Sequence, residues 1–353
     1  MKIINDKEKD FAQKLEKIIQ QNQAEIEDNN LATKVADIIF DVKKNGDDAL
    51  IKIANKFDGA NFKKAADLLV PLQEIKDAKN KINKDLLAAL TLSKKRIYEY
   101  HLHQKPKDFF YKDEIGIGLG NIWKAIEKIG IYAPGGAALY PSSILMSAVP
   151  ALVAGVKNII LTTPAQNGKI APVILAAANL CGIKTIYKIG GASAIAALAL
   201  GTKTISAVDK IVGPGNNFVA IAKKQLFGRV GIDMIAGPTD ILIIANRQNN
   251  CDFVAADMLA QLEHGASSKA LLITDDATFA NDVNAAILQL AKSLPRQNII
   301  KESLKNSAII IVENLATKAT NHLARENFWS HSFLRQSADH LGRFKCCQFS
   351  TKP

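Results

Sequence analysis

KIGIYAP (128–134), NIILTTP (158–164), TIYKIGG (185–191) and DKIVGPG (209–215) decide the fold. Each is a short run with β-branched or aromatic residues, closed by Pro or Gly. Each is followed by a helical stretch: SSILMSAVPALVAGV (142–156), IAPVILAAANLCG (170–182), ASAIAALALGT (192–202) and NNFVAIAKKQLFG (216–228). Ser142 or Ser143 is the expected N-cap of the first helix. Four β-then-α units in succession predict a parallel sheet covered by helices on both faces.

Downstream the alternation resumes. DILIIAN (240–246), KALLITDD (269–276) and SAIIIVE (307–313) read as strands. DFVAADMLAQLEH (252–264) and a stretch from Thr278 to about Leu294 read as helices. Upstream the chain is mostly helical. Apolar positions recur at helical spacing in FAQKLEKIIQ (11–20) and LATKVADIIFDVKKNG (31–46), where Gly46 is a stop. A further helix is expected from about Ile82 to His101, with a stripe of Leu86, Leu87, Leu90 and Ile97. GIGLG (116–120) reads as a hairpin or irregular strand rather than a phosphate loop.

The length, 353 residues, suits two or three domains. With 48% hydrophobic and 22% charged residues, disorder and fibrous repeats are excluded for most of the chain. The net charge is +11, and the densest basic cluster is Lys94, Lys95, Arg96, Lys105 and Lys107, with Glu99 among them. It reads as a solvated helix end and loop, no basic stripe continues it, and nucleic-acid binding is not expected. Four cysteines, two of them adjacent, make no disulfide framework. The polar N-terminus is not a signal peptide, and Pro or Gly breaks every apolar stretch well before about 18 residues. A cytoplasmic protein without membrane contact is expected.

Several features can carry chemistry. The glycine turns after IYAP (131–134), at Gly190–Gly191 and in GPGN (213–216) each lie between a strand and a helix. Each is a ligand loop or a tight turn. Set side by side at the strands' carboxyl ends, they form a groove of dinucleotide size. Asn216 opens its helix, so an N-cap role competes with ligand contact. Thr239, in IDMIAGPTD (232–240), stands at a hinge or presents its hydroxyl to a cleft. Gln261 and His264 are at i and i+3 on one helix face, where an amide oxygen and an imidazole suit Zn²⁺. Taken alone, His264 beside Gly265 is a helix-end residue. Cys181 and Cys251 sit in apolar helical context, which counts against a thiol-dependent aldehyde dehydrogenase.

The stretch VDKIVGPGNNFVAIAKKQLFGRVGIDMIAGPTDILIIAN (208–246), followed by AADMLAQLEHG (255–265), closely resembles the histidinol dehydrogenase family. GIYAPGG and GGASAIAALALGT match in the same order, and the resemblance runs from about residue 25 to about residue 324. It implies the two-step oxidation of L-histidinol to L-histidine through the aldehyde, with NAD as hydride acceptor and one Zn²⁺ orienting the substrate. It also implies a histidine base, a neighbouring Glu that activates water, and a homodimer. Carried over by residue, Tyr132, Ser193 and Asn216 match cofactor-contacting positions, Ser193 standing where the family usually has Gln. Thr239 matches a substrate position usually held by Ser. Gln261 and His264 match zinc and substrate ligands.

The expected fold is α/β, with two Rossmann-like domains built on parallel sheets, one inserted in the other, and an N-terminal helical segment. Residues 1–23 form the N-terminal helix, expected to pack on a partner subunit. Residues 24–131 and 240–324 form the first domain, and 132–239 the inserted one. The tail, 325–353, departs from the family pattern. In LARENFWSH (323–331), Glu326 matches the catalytic acid position but Asn327 stands at the position of the histidine base. The other zinc ligands, an Asp and a His, find no match here, so a frameshifted tail is expected. Asn does not take up a proton at neutral pH. Activity is therefore expected to be lost or severely impaired, the rival reading being an inactive remnant that at most binds NAD.

Overall fold

The computed structural model describes residues 1–20, 29–135, 139–235 and 240–315, and two strands at 332–336 and 345–347. The chain divides into two compact units, one of residues 28–235 and one of residues 1–27 with 236–353. The first is thus inserted into the second.

The chain enters through β1 (Lys2–Asn5) and α1 (Phe11–Gln20). The inserted unit then opens with helices α2 (Asn29–Asn45), α3 (Asp47–Asp58), α4 (Leu72–Asp77) and α5 (Lys84–Gln104). A hairpin of β2 (Phe109–Lys112) and β3 (Gly118–Asn121) follows, so GIGLG is a hairpin strand, as its sequence predicts. Next come β4 (Lys128–Tyr132), α6 (Pro141–Ala154), β5 (Asn158–Thr162) and α7 (Pro172–Leu180). The unit closes with β6 (Thr185–Tyr187), α8 (Gly191–Leu200), β7 (Lys210–Val212), α9 (Asn217–Leu226) and β8 (Gly231–Ile232).

These five strands form one parallel sheet in the order β6-β5-β4-β7-β8. Its strands bury both faces, which is why they read as continuous apolar runs. Ile160, Tyr187 and Ile211 join a core with α2 and α8; their neighbours Leu161 and Ile186, with Ile131, join another with α6 and α7. The first helix of this set starts at Pro141, with Tyr140 at the N-cap and no side-chain cap, not at Ser142 or Ser143. Proline fits that first position because it has no N–H to leave unpaired.

The division falls elsewhere than the sequence reading places it. The expected boundary at 131/132 cuts β4, a central strand. Val35, Val42, Ala49 and Leu50, from α2 and α3, are buried in the same core as α8. The Val70 amide donates to Ile186 and the Lys188 amide to Leu68, so the segment around Leu69 extends the sheet edge beyond β6. Helices that sequence reading assigns to the outer domain are therefore the cover of the inserted sheet.

The outer unit continues with β9 (Asp240–Ile244), α10 (Cys251–Leu262), β10 (Lys269–Thr274), α11 (Ala277–Leu290), α12 (Gln297–Ser303) and β11 (Ala308–Ile311). Two further strands, β12 (Ser332–Gln336) and β13 (Lys345–Cys347), complete a sheet in the order β1-β11-β10-β9-β12-β13. All of its pairings are parallel except β12 with β13. Ile241, Ile243, Leu272 and Ile309 face α10 and α11. Leu242, Leu271, Ile273 and Ile310 face Leu15 and Ile18 of α1. The α1 stripe expected to meet a partner subunit is therefore buried on this unit's own sheet, and β1, unforeseen in sequence, supplies an edge strand. The remaining residues of the tail, 325–331 and 337–344 and 348–353, lie outside the described residues.

Candidate functional site

In the inserted unit the strand order reverses between β4 and β7. One neighbour leads to β5 and the other to β8, and the loops leaving the two strands diverge. An open parallel sheet binds ligands in the crevice outside the carboxyl ends at that switch point. Here the crevice is bounded by Tyr132 to Gly135 after β4 and by Gly213 to Asn216 after β7, with the α8 N-terminus alongside.

The floor is tightly packed. Gly213 has φ +115°, and a Cβ there would lie 2.1 Å from the Tyr132 carbonyl oxygen. Pro164, at the end of β5, fills the space between the other two turns. A Cβ at Gly135 would lie 2.7 Å from its ring, and one at Gly190 2.6 Å. The glycine turns are thus required by backbone packing of one loop against the next. Above Gly191 a Cβ would meet nothing within 4 Å among the described residues, so the α8 N-terminus is open with respect to them.

Tyr132 is buried, and its hydroxyl accepts the Gly191 amide hydrogen at 3.2 Å. Burial raises its pKa, against the lowering effect of that hydrogen bond, and the Asp58 carboxylate raises it further. The phenol stays protonated and keeps a hydrogen to donate. Ser193 is buried, and its hydroxyl donates back to the Gly190 carbonyl at 2.8 Å. Its side chain is therefore spent on the first turn of α8. Asn216 is exposed and caps α9, its Oδ1 accepting the Val219 amide at 3.2 Å. The N-cap reading of Asn216 holds, and the residue remains exposed at the edge of the crevice.

The amino ends of α8 and α9, with an open space above one of them, suit the pyrophosphate of a dinucleotide. The residues present therefore fit NAD. Beside the crevice, sharing Gly135, lies a cavity of about 790 Å³ lined by Thr163, Pro164, Lys169, Lys81 and Glu74. Tyr132, Ser193 and Asn216 do not line it.

In the outer unit, Gln261 is buried in the last turn of α10, and His264 is exposed just beyond it. The His264 amide donates to the Gln261 carbonyl at 3.2 Å. These are two neutral donors, and among the described residues no group of three His, Cys, Asp or Glu side chains is placed to hold a metal. Two neutral ligands do not offset a divalent charge. The described residues therefore do not by themselves fit Zn²⁺. Thr239, Glu326 and Asn327 lie outside the described residues.

One network was missed in sequence. Lys223 is 2% exposed in α9, and its Nζ donates to the Gly213 carbonyl at 2.5 Å and to Asp233 Oδ1 at 2.7 Å. The only signal was a lysine on the face of α9 that otherwise carries Val219, Ala220, Ala222 and Leu226.

The fold and crevice define a doubly wound α/β protein with an open switch-point site. The chain belongs to the histidinol dehydrogenase family, whose family model matches residues 21–335. The match continues past residue 324, where the sequence resemblance was expected to end. The histidinol dehydrogenase of Agrobacterium fabrum is 47% identical over 321 residues, covering 90% of this chain and 74% of that protein. Histidinol dehydrogenase 1 of a Nostoc species is 43% identical over 330 residues, covering 93% of this chain and 75% of that protein. The crystal structure of histidinol dehydrogenase from Elizabethkingia anophelis superposes with a TM-score of 0.77 at 37% identity, covering 86% of this chain and 74% of that one. Among the described residues no helix is long and apolar enough to cross a membrane.

Proposed function

We propose that the inserted unit binds NAD⁺ at its switch-point crevice, and that the reaction of this chain is the oxidation of L-histidinol to L-histidine through the aldehyde. The observation that carries the cofactor half is the crevice between β4 and β7, with two helix amino ends beside it. Family membership carries the substrate half. NAD⁺ supplies a hydride acceptor for each of the two oxidations. Asn216 and the amino ends of α8 and α9 hold the anionic pyrophosphate. Tyr132, protonated and pinned to Gly191, orients the α8 amino end and offers its hydroxyl hydrogen. Ser193 does not replace the usual Gln, because its hydroxyl is turned back onto Gly190; cofactor binding is weakened accordingly. Thr239, Gln261 and His264 position the substrate. No step is assigned to zinc.

We further propose that turnover is severely impaired. Glu326 remains to activate water on the aldehyde, but Asn327 stands at the position of the base. An amide accepts a hydrogen bond without taking the alcohol proton, and loss of a general base costs about 10²–10⁴-fold. The second reading, an NAD-binding remnant with no turnover, rests on this same residue.

The test is calorimetry with NAD⁺ on the full chain, alongside NADH formation from histidinol with added Zn²⁺. Millimolar NAD⁺ should bind, and turnover should stay at least about a hundredfold below 1 per second. Absence of any binding heat at millimolar NAD⁺ would overturn the crevice reading. Turnover near 1 per second or above would overturn the impairment.

A further inference from the structure

Lys223 stands out because a charged group so deeply buried gains little stability from its ion pair. An apolar side chain would pack α9 equally well. Its contacts are unusually specific. The ammonium donates to the Gly213 carbonyl and to Asp233 Oδ1, while Asp233 Oδ2 accepts the Gly213 amide hydrogen at 2.8 Å. Asp233 Oδ1 also accepts the Met234 amide at 2.7 Å. Asp233 is itself fixed at the end of β8, where its amide donates to the Ile211 carbonyl at 3.2 Å. Both polar groups of one residue, Gly213, are therefore gripped by one ion pair.

Gly213 needs such a grip. Its φ of +115° is open to glycine, and glycine leaves the backbone free to leave that conformation. It lies three residues before Asn216, which caps α9, and against the Tyr132 carbonyl. If Gly213 moved, the α9 amino end and the Tyr132 side of the crevice would lose their spacing together.

We propose that Lys223 and Asp233 are positioning residues that clamp the Gly213–Asn216 loop in its cofactor-binding geometry. This rests on the reading of the crevice as the NAD⁺ site. The pair does not touch the cofactor; it sets the shape of the loop that does. Burial of Lys223 strengthens its bond to the Gly213 carbonyl, since a charged donor in a low-dielectric surrounding resists losing its acceptor, while Asp233 closes the clamp from the solvent side.

The test compares the full chain with Lys223→Met, Asp233→Asn and Lys224→Met. NAD⁺ affinity is measured by calorimetry, and amide hydrogen exchange is followed over residues 210–219. Lys223→Met should exchange at Gly213–Asn216 about tenfold faster and bind NAD⁺ about tenfold more weakly, about the worth of its charge-assisted hydrogen bond to the Gly213 carbonyl. Asp233→Asn keeps size but turns one accepting oxygen into a donating amide, so either the Gly213 amide or Lys223 loses its acceptor, and binding should weaken by a similar factor, about tenfold. Saturating NAD⁺ should restore loop protection in Lys223→Met, which a merely structural role would not produce. Lys224→Met removes an exposed charge from the same helix and should leave both readouts unchanged. If the parent chain binds NAD⁺ and both clamp variants bind it equally well, the clamp is wrong. If Lys224→Met weakens binding as much, general charge attraction replaces it. Should Lys223→Met fail to fold, Asp233→Asn decides alone. If the parent chain binds no NAD⁺, the crevice reading fails and the clamp's role with it.

Discussion

A Cβ at Gly213 would meet the Tyr132 carbonyl oxygen inside any allowed contact distance, in a backbone region that L side chains avoid. Gly213→Ala is therefore expected to cost about 3 kcal/mol or more, read from the urea midpoint. A cost below about 1 kcal/mol would mean that β4 and β7 do not approach as described. At Cys181 burial dominates: desolvation pushes the thiol from 9.0 up to about 11, with Lys94 opposing weakly. The unfolded chain loses this proton near pH 9 and the folded chain near pH 11. Stability from this group is complete below pH 9 and is lost as pH rises through about 11. Iodoacetamide at pH 8 should leave Cys181 of the folded chain unlabelled while reaching Cys251, which is partly exposed. Rapid labelling of Cys181 would contradict its burial.

Helix α1 carries a clear apolar stripe, and a stripe alone does not say what it meets. Leu15 and Ile18 meet Leu242, Leu271 and Ile310 of the chain's own sheet. Ile18→Ala is expected to lower stability by about 2–3 kcal/mol without changing the mass in solution. A shift in mass by light scattering, with stability intact, would return α1 to a subunit interface. The strands behave differently from the helices in one respect. β4, β5, β9 and β10 are legible because both of their faces are buried and their runs end in Pro, Gly, Asn or Asp. β1 (KIIN) and β8 (Gly231–Ile232) are not, being short edge strands whose identity comes from the neighbour they pair with.

At the scale of the molecule, residues 28–235 form a contiguous unit whose sheet and both covering layers lie within it. The outer unit is discontinuous, since β1 must pair with β11. A fragment spanning 28–235 is therefore expected to unfold cooperatively by itself, followed by circular dichroism through thermal melting. A fragment starting at residue 132 lacks the α2 and α5 cover and is expected to be molten or aggregated. Cooperative melting of that shorter fragment would vindicate the boundary read from sequence.

The alternation of strand and helix from 128 to 313 is written locally, because buried parallel strands and amphipathic helices leave periodic signals. The family is written locally as well, because the GPGN-to-QLEHG stretch is long and specific. The Asn216 cap was readable too, since capping acts between residues three apart. Which layer the N-terminal helices cover emerges only from packing, for it depends on contacts such as Val35 with α8 that no local pattern encodes. The tertiary structure alone turned Ser193 back onto Gly190 and set Pro164 between two glycine turns. The pairing of Lys223 with Asp233 is of the same kind. Ten residues separate them, across a helix end and a strand, and their meeting at Gly213 follows from the return of β8 beside β7.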